Sequence, residues 1–402
     1  MRNWLSGCVA AVLLTAAAAL FWYFSDYRAF RQVEELCEVV QFGHDGEPAK
    51  VEEKLEPLKL AAYEGQYRDA ASTYYRDACP NEKADLIYNA VLYAFDHGYD
   101  YICFPAAVCD DDLLFEAARY AVFDHPLLEE NMAMDIVEVK YTYRDFVRYF
   151  YELKLPTNDG AHKAKKLYAL NHARDIVEEQ RGNSEEETAR NLYDWLVRNV
   201  QYIEELNYNE NDPHYIYDAL VNGASNCDGM SNAYALLANL AGIECFNVSN
   251  VPDEDGVGHT WNILRLNGEY YQVDVTAESG YYEVVGENLF LSFARSAEAL
   301  ANGAYEEGCA SLAPACSDKS RDGIGVDLFV SDRKPSKEER QQLDAAIERL
   351  ERGEKKIVIR CEALSETDWD YNLSVLADWF ASCRVEIRVV SAGKCCCVIY
   401  RN

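Results

Sequence analysis

Three side chains in the middle of the chain are of the types that cysteine hydrolases and acyltransferases use. They are Cys227 in SNCDGM, His259 in GVGHTWN and Asp274 in YYQVDVT. Such an enzyme needs a thiol as nucleophile, an imidazole that takes and returns a proton, and a polar group that orients the imidazole. The trio therefore indicates acyl transfer, in which a thiolate attacks an amide carbonyl and forms a thioester.

Cys227 stands where the sequence predicts the start of a helix. Ser225 and Asn226 are residue types that cap helices, and apolar residues at helical spacing follow as far as Gly242. A thiol in the first turn lies near unsatisfied N–H groups and the positive end of the helix dipole, and both favour the thiolate. Its backbone N–H is one expected oxyanion donor, and the sequence leaves Asn226 and Trp261 open as the second.

His259 and Asp274 are predicted to lie on the two arms of one β-hairpin. The dipeptide Asn267-Gly268 is the strongest short hairpin signal in the chain, and it joins HTWNILRL to EYYQVDVT. Seven residues separate His259 from this turn, and five separate the turn from Asp274. Adjacent antiparallel strands bring such positions within reach of each other, so the two side chains can face the same side.

These patterns resemble the transglutaminase-like superfamily over about Glu185–Ala294. The stretches NCDGMSNAYALLANLAGI and HTWNILRLNGEYYQVDVT carry the resemblance, and Trp261, Gly268 and Thr276 match it as well. Met230 departs from the pattern, because many members have an aromatic residue at that place. We expect this departure to alter the packing of the helix and to leave the triad intact.

The resemblance implies an α+β fold. Its core would be papain-like, with the cysteine helix packed on an antiparallel sheet and with Cys227, His259 and Asp274 as the catalytic triad. It also implies a cysteine enzyme that acts on peptide or protein amides through a thioester. Water as acceptor would give a peptidase or amidase, an amine would give a protein-glutamine acyltransferase, and the sequence leaves both open. The alternative is a non-catalytic surface module that uses the same core to bind a partner.

The pattern of apolar, charged and turn-forming residues along the sequence divides the chain into five segments. Residues 336–402 run helix, strand, helix, strand, strand, which predicts a small α+β module at the C-terminus. The predicted segments are a transmembrane signal anchor (1–25), a helical or mixed N-terminal region (26–180), the transglutaminase-like catalytic core (181–300), a linker (301–335) and the small α+β module (336–402).

The amino terminus is predicted to anchor the protein in a membrane. Residues 4–24 carry no charge, and this length fits a bilayer core. Arg2 precedes the stretch, and Trp22 and Tyr23 close it as aromatic residues do at a membrane interface. The charge bias favours a cytoplasmic N-terminus with the bulk of the chain extracytoplasmic. The upstream FDHP stretch also looks like that of bacterial extracytoplasmic members, so a cell-wall peptide is one candidate substrate.

The net charge and the spacing of candidate metal ligands limit which partners and cofactors are expected. The chain has 69 acidic against 38 basic residues, a formal net charge of -31, so nucleic acid is not an expected partner. No cofactor or metal is predicted, because His125 and His214 lack a second ligand at metal spacing. The 14 cysteines leave disulfide pairing open.

Overall fold

The structure of the chain is a computed structural model. It divides into two units, one drawn from residues 1–65, 80–118 and 133–156 and the other from residues 66–79, 119–132 and 157–402. Helices and sheets both occur, as the α+β prediction requires. The residues that the structure describes are 40–44, 53–55, 60, 63, 65–106, 109–128, 136–143, 146–155, 160–203, 215–250, 258–300, 312–361, 364, 369–381, 384–392 and 394–401.

The secondary-structure elements of the described residues are as follows. The helices are α1 (Tyr74–Asp77), α2 (Glu82–His97), α3 (Asp111–Asp124), α4 (Gly160–Gln180), α5 (Glu185–Asn199), α6 (Tyr215–Tyr217), α7 (Cys227–Leu240), α8 (Val275–Val285), α9 (Ala297–Leu300), α10 (Lys337–Glu351) and α11 (Trp369–Trp379). The strands are β1 (Val40–Gly43), β2 (Glu53–Leu55), β3 (Tyr101–Pro105), β4 (Ile136–Tyr143), β5 (Phe146–Lys154), β6 (Gln201–Tyr202), β7 (Ala224–Ser225), β8 (Cys245–Ser249), β9 (Thr260–Leu266), β10 (Glu269–Val273), β11 (Leu328–Val330), β12 (Lys356–Cys361), β13 (Val385–Ala392) and β14 (Lys394–Arg401).

The first unit is built on an antiparallel sheet in the order β2-β1-β3-β5-β4. Strand β3 is central, and its Ile102 and Phe104 are fully buried. Helix α2 is capped by Asn81, whose side chain accepts from the backbone N–H of Lys83 and of Ala84. These features follow ordinary capping and burial rules, and none of the three predicted catalytic residues belongs to this unit.

Helix α7 lies in the hydrophobic core of the second unit. Every residue from Gly229 to Asn239 is buried, which is expected where a helix is packed on several sides. Helix α5 contributes Ala189, Leu192 and Leu196 from one face, and the sheet β10-β9-β8 contributes residues such as Leu264 to the same core. The helix that begins at Cys227 is therefore fixed by packing along most of its length.

The hairpin predicted at Asn267-Gly268 is confirmed. Both residues are in the left-handed region, with φ of 53° and 89°, as a two-residue type I′ turn requires. Leu266 pairs with Glu269 directly beside the turn, and the antiparallel register continues from there along β9 and β10. This local turn chemistry sets the register of the strands that bring His259 towards Asp274.

The C-terminal elements of residues 336–402 occur in the predicted order. Their strands form a sheet with β11, which precedes them in the chain; the order is β11-β12-β14-β13, β11 runs parallel to β12, and the other pairs are antiparallel. Helix α10 begins with a capping box of Ser336 and Glu339. One side of the sheet packs on α10 and α11, and the other side places Val358 and Val390 against Val285 at the end of α8. The module thus contacts the same helix that follows Asp274.

No helix within the described ranges is both long and apolar enough to span a bilayer. On this finding the prediction of a membrane anchor is wrong. The prediction of an extracytoplasmic location, which depends on that anchor, is wrong as well. The apolar helix α7 has 14 residues, and its length of about 21 Å at 1.5 Å per residue falls short of a hydrocarbon core of about 30 Å. Its apolar side chains are used in the protein core instead. Residues 4–24, from which the anchor was inferred, lie outside the described residues.

Candidate active site

Cys227 is the first residue of α7 and is partly exposed. Of the two cap candidates, Asn226 performs the role: its Oδ1 accepts from Gly229 N at 3.1 Å, while Ser225 ends strand β7. In this position the backbone N–H of Cys227 belongs to the first turn, whose N–H groups have no partner within the helix. The thiol and a backbone donor therefore occupy the same helix end, as a cysteine nucleophile requires.

His259 links the thiol to a buried carboxylate. Its Nε2 donates to Asp274 Oδ2 at 2.7 Å, and the side chain of Asp274 is fully buried while that of His259 keeps 22% of its surface exposed. The imidazole is also hydrogen-bonded to Cys227. Because Nε2 is engaged by Asp274, Nδ1 is the ring nitrogen left for the thiol. The structure thus brings all three sequence-predicted site residues together in one hydrogen-bonded chain.

The charges and hydrogen bonds around His259 favour a charged imidazole. Burial lowers the pKa of His259, but the charge and hydrogen bond of Asp274 and those of Cys227 outweigh it and raise the pKa from 6.5 to about 10. The ring is therefore an imidazolium at neutral pH. An imidazolium beside a cysteine stabilises the thiolate, which is the form that attacks a carbonyl.

The hairpin register explains why His259 and Asp274 meet. The last pair of the ladder is Asn262 with Val273, so one further step along the register sets Asp274 opposite Trp261. His259 lies two residues before Trp261 and hence on the same face of the strand. The carboxylate and the imidazole are diagonal neighbours across the two strands, a spacing that these side chains can bridge.

Asp274 also starts the next helix. Its Oδ1 accepts from Ala277 N at 2.9 Å and so caps α8, while Oδ2 remains on His259. The carboxylate is bound through both oxygens, which fixes its orientation. The sequence predicts Asp274 within the second arm of the hairpin, whereas the structure places it directly after β10 as the cap of α8, a role that the sequence did not predict.

Trp261 packs on the imidazole. The two rings are nearly parallel, with centroids 5.8 Å apart and an interplanar angle of 17°, and the indole is fully buried. This contact limits rotation of His259. Thr276, which also matches the superfamily motif, places its hydroxyl 3.8 Å from the sulfur of Met230 on α7. The residue that departs from the motif therefore packs behind the site and leaves the three predicted catalytic side chains in place.

A buried polar network connects the cysteine helix to the histidine strand, and the sequence analysis missed it. Asn262 Nδ2 donates to Ser231 O at 2.9 Å and to Asn247 Oδ1 at 2.7 Å. Asn247 Nδ2 in turn donates to Asn232 Oδ1 at 2.5 Å. These amides tie α7 to β8 and β9, and they hold Cys227 and His259 in mutual position. The available signal was the occurrence of asparagine within otherwise apolar strands.

Other residues considered for ligand roles lie elsewhere. His125 is buried at the end of α3, where burial and then the charge of Arg76 lower its pKa from 6.5 to about 3, so it is neutral. His214 lies outside the described residues. Within the described ranges no three His, Cys, Asp or Glu side chains converge as metal ligands would.

The comparison with protein families places this geometry in a known group. The family model described as "Transglutaminase-like superfamily" matches residues 171–275, a range that contains Cys227, His259 and Asp274. Residues 171–275 form a transglutaminase-like domain. This domain contains the cysteine helix, the hairpin and the capping aspartate, and the predicted resemblance to the superfamily is confirmed for these residues.

Individual relatives are distant. The chain is similar to kyphoscoliosis peptidase from Mus musculus, with 25% identity over 112 residues that cover 25% of this chain and 17% of that protein. The Homo sapiens protein of the same name is 24% identical over 117 residues, which cover 26% of this chain and 18% of its own length. Among solved structures, red sea bream transglutaminase has 10% identity and a TM-score of 0.22, with 38% of this chain and 31% of that chain covered. The chain thus spans under a fifth of the curated relatives it matches.

Proposed function

We propose that the transglutaminase-like domain is a cysteine hydrolase of peptide or protein amides. The observation that carries this proposal is the hydrogen-bonded chain from Cys227 through His259 to Asp274, in which the imidazole is charged. The match of residues 171–275 to the transglutaminase-like superfamily supports the reaction class, and the name of the mammalian relatives, a peptidase, is consistent with it.

The first half-reaction is acylation. The thiolate of Cys227 attacks the amide carbonyl carbon, a C–S bond forms, and the carbonyl electrons move to oxygen, where the N–H of Cys227 can donate to the oxyanion. The C–N bond then breaks as the His259 imidazolium gives its Nδ1 proton to the leaving amine. The products are a thioester on Cys227, a free amine and a neutral imidazole, and Asp274 stays ionised throughout.

The second half-reaction returns the enzyme to its starting state. The neutral imidazole takes a proton from the acceptor, which attacks the thioester carbonyl, and the C–S bond breaks to give the thiolate and the imidazolium again. Cys227 is partly exposed and His259 keeps 22% of its side-chain surface, so water can reach the thioester. We therefore propose hydrolysis as the main outcome, with an amine acceptor as the competing one.

The test follows the reactivity of one thiol and the turnover of one amide. Alkylation of Cys227 by iodoacetamide is followed between pH 5 and 10 by mass spectrometry of the peptide that contains it. Hydrolysis of a mixed peptide substrate is measured with and without a primary amine. Cys245→Ala is the matched control for Cys227→Ala, because Cys245 is fully buried in β8 and burial raises the pKa of its thiol.

Alkylation of Cys227 well below pH 8.5, lost in His259→Ala, together with hydrolysis that requires Cys227 and tolerates Cys245→Ala, would support the proposal. Hydrolysis that persists in Cys227→Ala would contradict it. An amine-linked product in place of the free acid would assign transamidation instead. An ordinary thiol and no turnover would favour the alternative of a binding module without catalysis.

A further inference from the structure

Asp274 is held by its backbone as well as by its side chain. Its N–H donates to Ser292 O at 2.9 Å, and its carbonyl accepts from the hydroxyl of Tyr193 at 3.0 Å. Both of these partners reach one carboxylate: Ser292 N donates to Glu278 Oε2 at 2.9 Å, and the Tyr193 hydroxyl lies 3.3 Å from that oxygen. The four residues form a closed cluster in which Asp274 O and Glu278 Oε2 share the single hydroxyl hydrogen of Tyr193, and each of the four is 0% exposed.

We propose that Glu278 and Tyr193 are positioning residues for Asp274, which fix the backbone from which its carboxylate reaches His259. This inference rests on the proposed function, because it assigns a role in orienting the imidazole of the triad. The hydrogen bonds of Tyr193 and Glu278 go to the backbone of Asp274 and of Ser292, so both residues act through Asp274.

The acceptor chemistry explains why a carboxylate occupies this buried place. Glu278 Oε1 accepts from Leu289 N at 2.8 Å, and Oε2 accepts from Ser292 N. A glutamine has the same shape but only one oxygen, so its NH₂ group would face one of these two N–H donors. Burial raises the pKa of Glu278, and the backbone N–H groups oppose that shift. A buried carboxylate is costly unless both oxygens are bonded, as they are here.

The segment that Glu278 binds has a backbone that needs such support. Phe290 and Ala294 have φ of 58° and 52°, a left-handed conformation that residues with a side chain rarely adopt. Ser292, the backbone partner of Asp274, lies between them. Strained residues persist where the surroundings over-determine them, and they cluster at functional sites. Glu278 supplies that constraint on the side of the segment that meets Asp274.

Two buried tyrosines make a matched pair for the test. Tyr193 and Tyr234 are both 0% exposed, their rings meet edge to face at 5.9 Å, and each hydroxyl donates to a backbone carbonyl. Burial and nearby carboxylates raise the pKa of Tyr193 well above its usual range, so its hydroxyl remains a donor. The hydroxyl of Tyr234 bonds Ala189 O at 3.2 Å, away from Asp274. Each substitution by phenylalanine removes one buried hydroxyl donor, and only Tyr193→Phe removes the donor that Asp274 O and Glu278 Oε2 share.

The experiment uses the full chain and measures the pH profile of Cys227 alkylation by iodoacetamide, together with the pKa of His259 by NMR. For Tyr193→Phe we expect alkylation at pH 6 to fall about threefold to tenfold, the range of one net hydrogen bond, with a lower pKa of His259. Tyr234→Phe should lose comparable stability and keep the wild-type profile. Glu278→Gln should resemble Tyr193→Phe if it folds, and its failure to fold leaves the decision to the tyrosine pair.

The outcomes separate this inference from the proposed function. Identical alkylation profiles for Tyr193→Phe, Tyr234→Phe and the wild type would overturn the positioning role. The proposed function would still stand in that case, provided that the wild-type thiol is activated. Equal losses of reactivity in both tyrosine variants would also overturn it, since a general packing defect would then explain them. A wild-type thiol that reacts only at alkaline pH would overturn both.

Discussion

His259 Nε2 lies 2.7 Å from Asp274 Oδ2, and the carboxylate that holds the imidazole there also starts a helix through Ala277 N at 2.9 Å. Orientation of the ring and initiation of α8 therefore depend on one side chain. An asparagine at this position could keep the cap, because its oxygen accepts as well as a carboxylate oxygen does. It could not keep the charge, and this difference allows the two roles to be measured separately.

The first prediction concerns Asp274→Asn. Without the carboxylate charge, the pKa of His259 should fall from about 10 towards its ordinary value of 6.5. The imidazolium stabilises the fold below pH 6.5, and this contribution is lost as the pH rises through about 10 in the wild type. The variant should lose hydrolysis by about 10²- to 10⁴-fold and should move the alkaline limb of the pH profile downward. Both are read from kcat/KM against pH.

Asp274→Ala is the control for the capping role. It removes the charge and the acceptor for Ala277 N together, so it should cost about 1 kcal/mol more in the free energy of unfolding than Asp274→Asn. Chemical denaturation of both variants at pH 7 measures this difference. Equal stabilities for the two variants would show that the cap contributes nothing, and unchanged catalysis in Asp274→Asn would show that the charge has no role.

The second prediction concerns Asn226, the cap of the cysteine helix. Asn226→Ser should preserve the bond to Gly229 N and hence both stability and thiol reactivity. Asn226→Asp should also preserve the cap and should stabilise the helix dipole slightly, but its negative charge opposes a thiolate on the next residue. We expect alkylation of Cys227 at pH 6 to fall on the order of tenfold in the aspartate variant alone. A fall in the serine variant as well would indicate that capping geometry, and not charge, controls the thiol.

The third prediction concerns the amide network below the site. Asn262→Ala leaves Ser231 O and Asn247 Oδ1 buried without their donor and should cost about 2–4 kcal/mol of stability. Because the network joins α7 to β9, the variant should also lower the alkylation rate of Cys227. Asn239→Ala is the control, since it deletes two buried hydrogen bonds to Cys245 at the other end of α7. The control should lose stability and keep the reactivity. If both variants kept the wild-type alkylation rate of Cys227, the network would serve stability alone.

The parts of the site that were predicted from sequence depend on local chemistry. A cap residue predicted the start of α7, and the Asn267-Gly268 turn predicted the strand pair that brings His259 to Asp274. The cluster around Asp274 depends on partners far apart in sequence, with Tyr193 and Glu278 separated by 85 positions. No periodicity or motif reports such a contact.

Strand β11 is a feature of the fold that the sequence did not predict, again because it depends on a contact between residues far apart in the chain. It has three residues, too few for a visible alternation, and lies where the sequence predicted a linker. Its parallel pairing with β12 places Leu328 beside Ile359, a contact set by the tertiary fold. The membrane prediction rests on the apolar length of residues 4–24 alone, and no helix in the described part of the chain is long and apolar enough to span a bilayer.

The fourth prediction uses His125 as an acid-sensitive group outside the active site. Burial, then the charge of Arg76, lowers its pKa from 6.5 to about 3, so the folded protein excludes a proton that the unfolded chain accepts below pH 6.5. The stability should therefore fall by about 1.4 kcal/mol per pH unit from this residue as the pH drops from 6.5 towards 3.

His125→Gln removes this titration, so the free energy of unfolding of the variant should decline less steeply between pH 6.5 and 4.5 than that of the wild type. Urea denaturation at closely spaced pH values measures the two slopes. Between pH 7.5 and 8.5 the slopes should agree, because His125 is neutral there in the folded and unfolded states alike. Parallel slopes across the acidic range would mean that folding does not exclude the proton, and the neutral, buried state assigned to His125 would then be wrong.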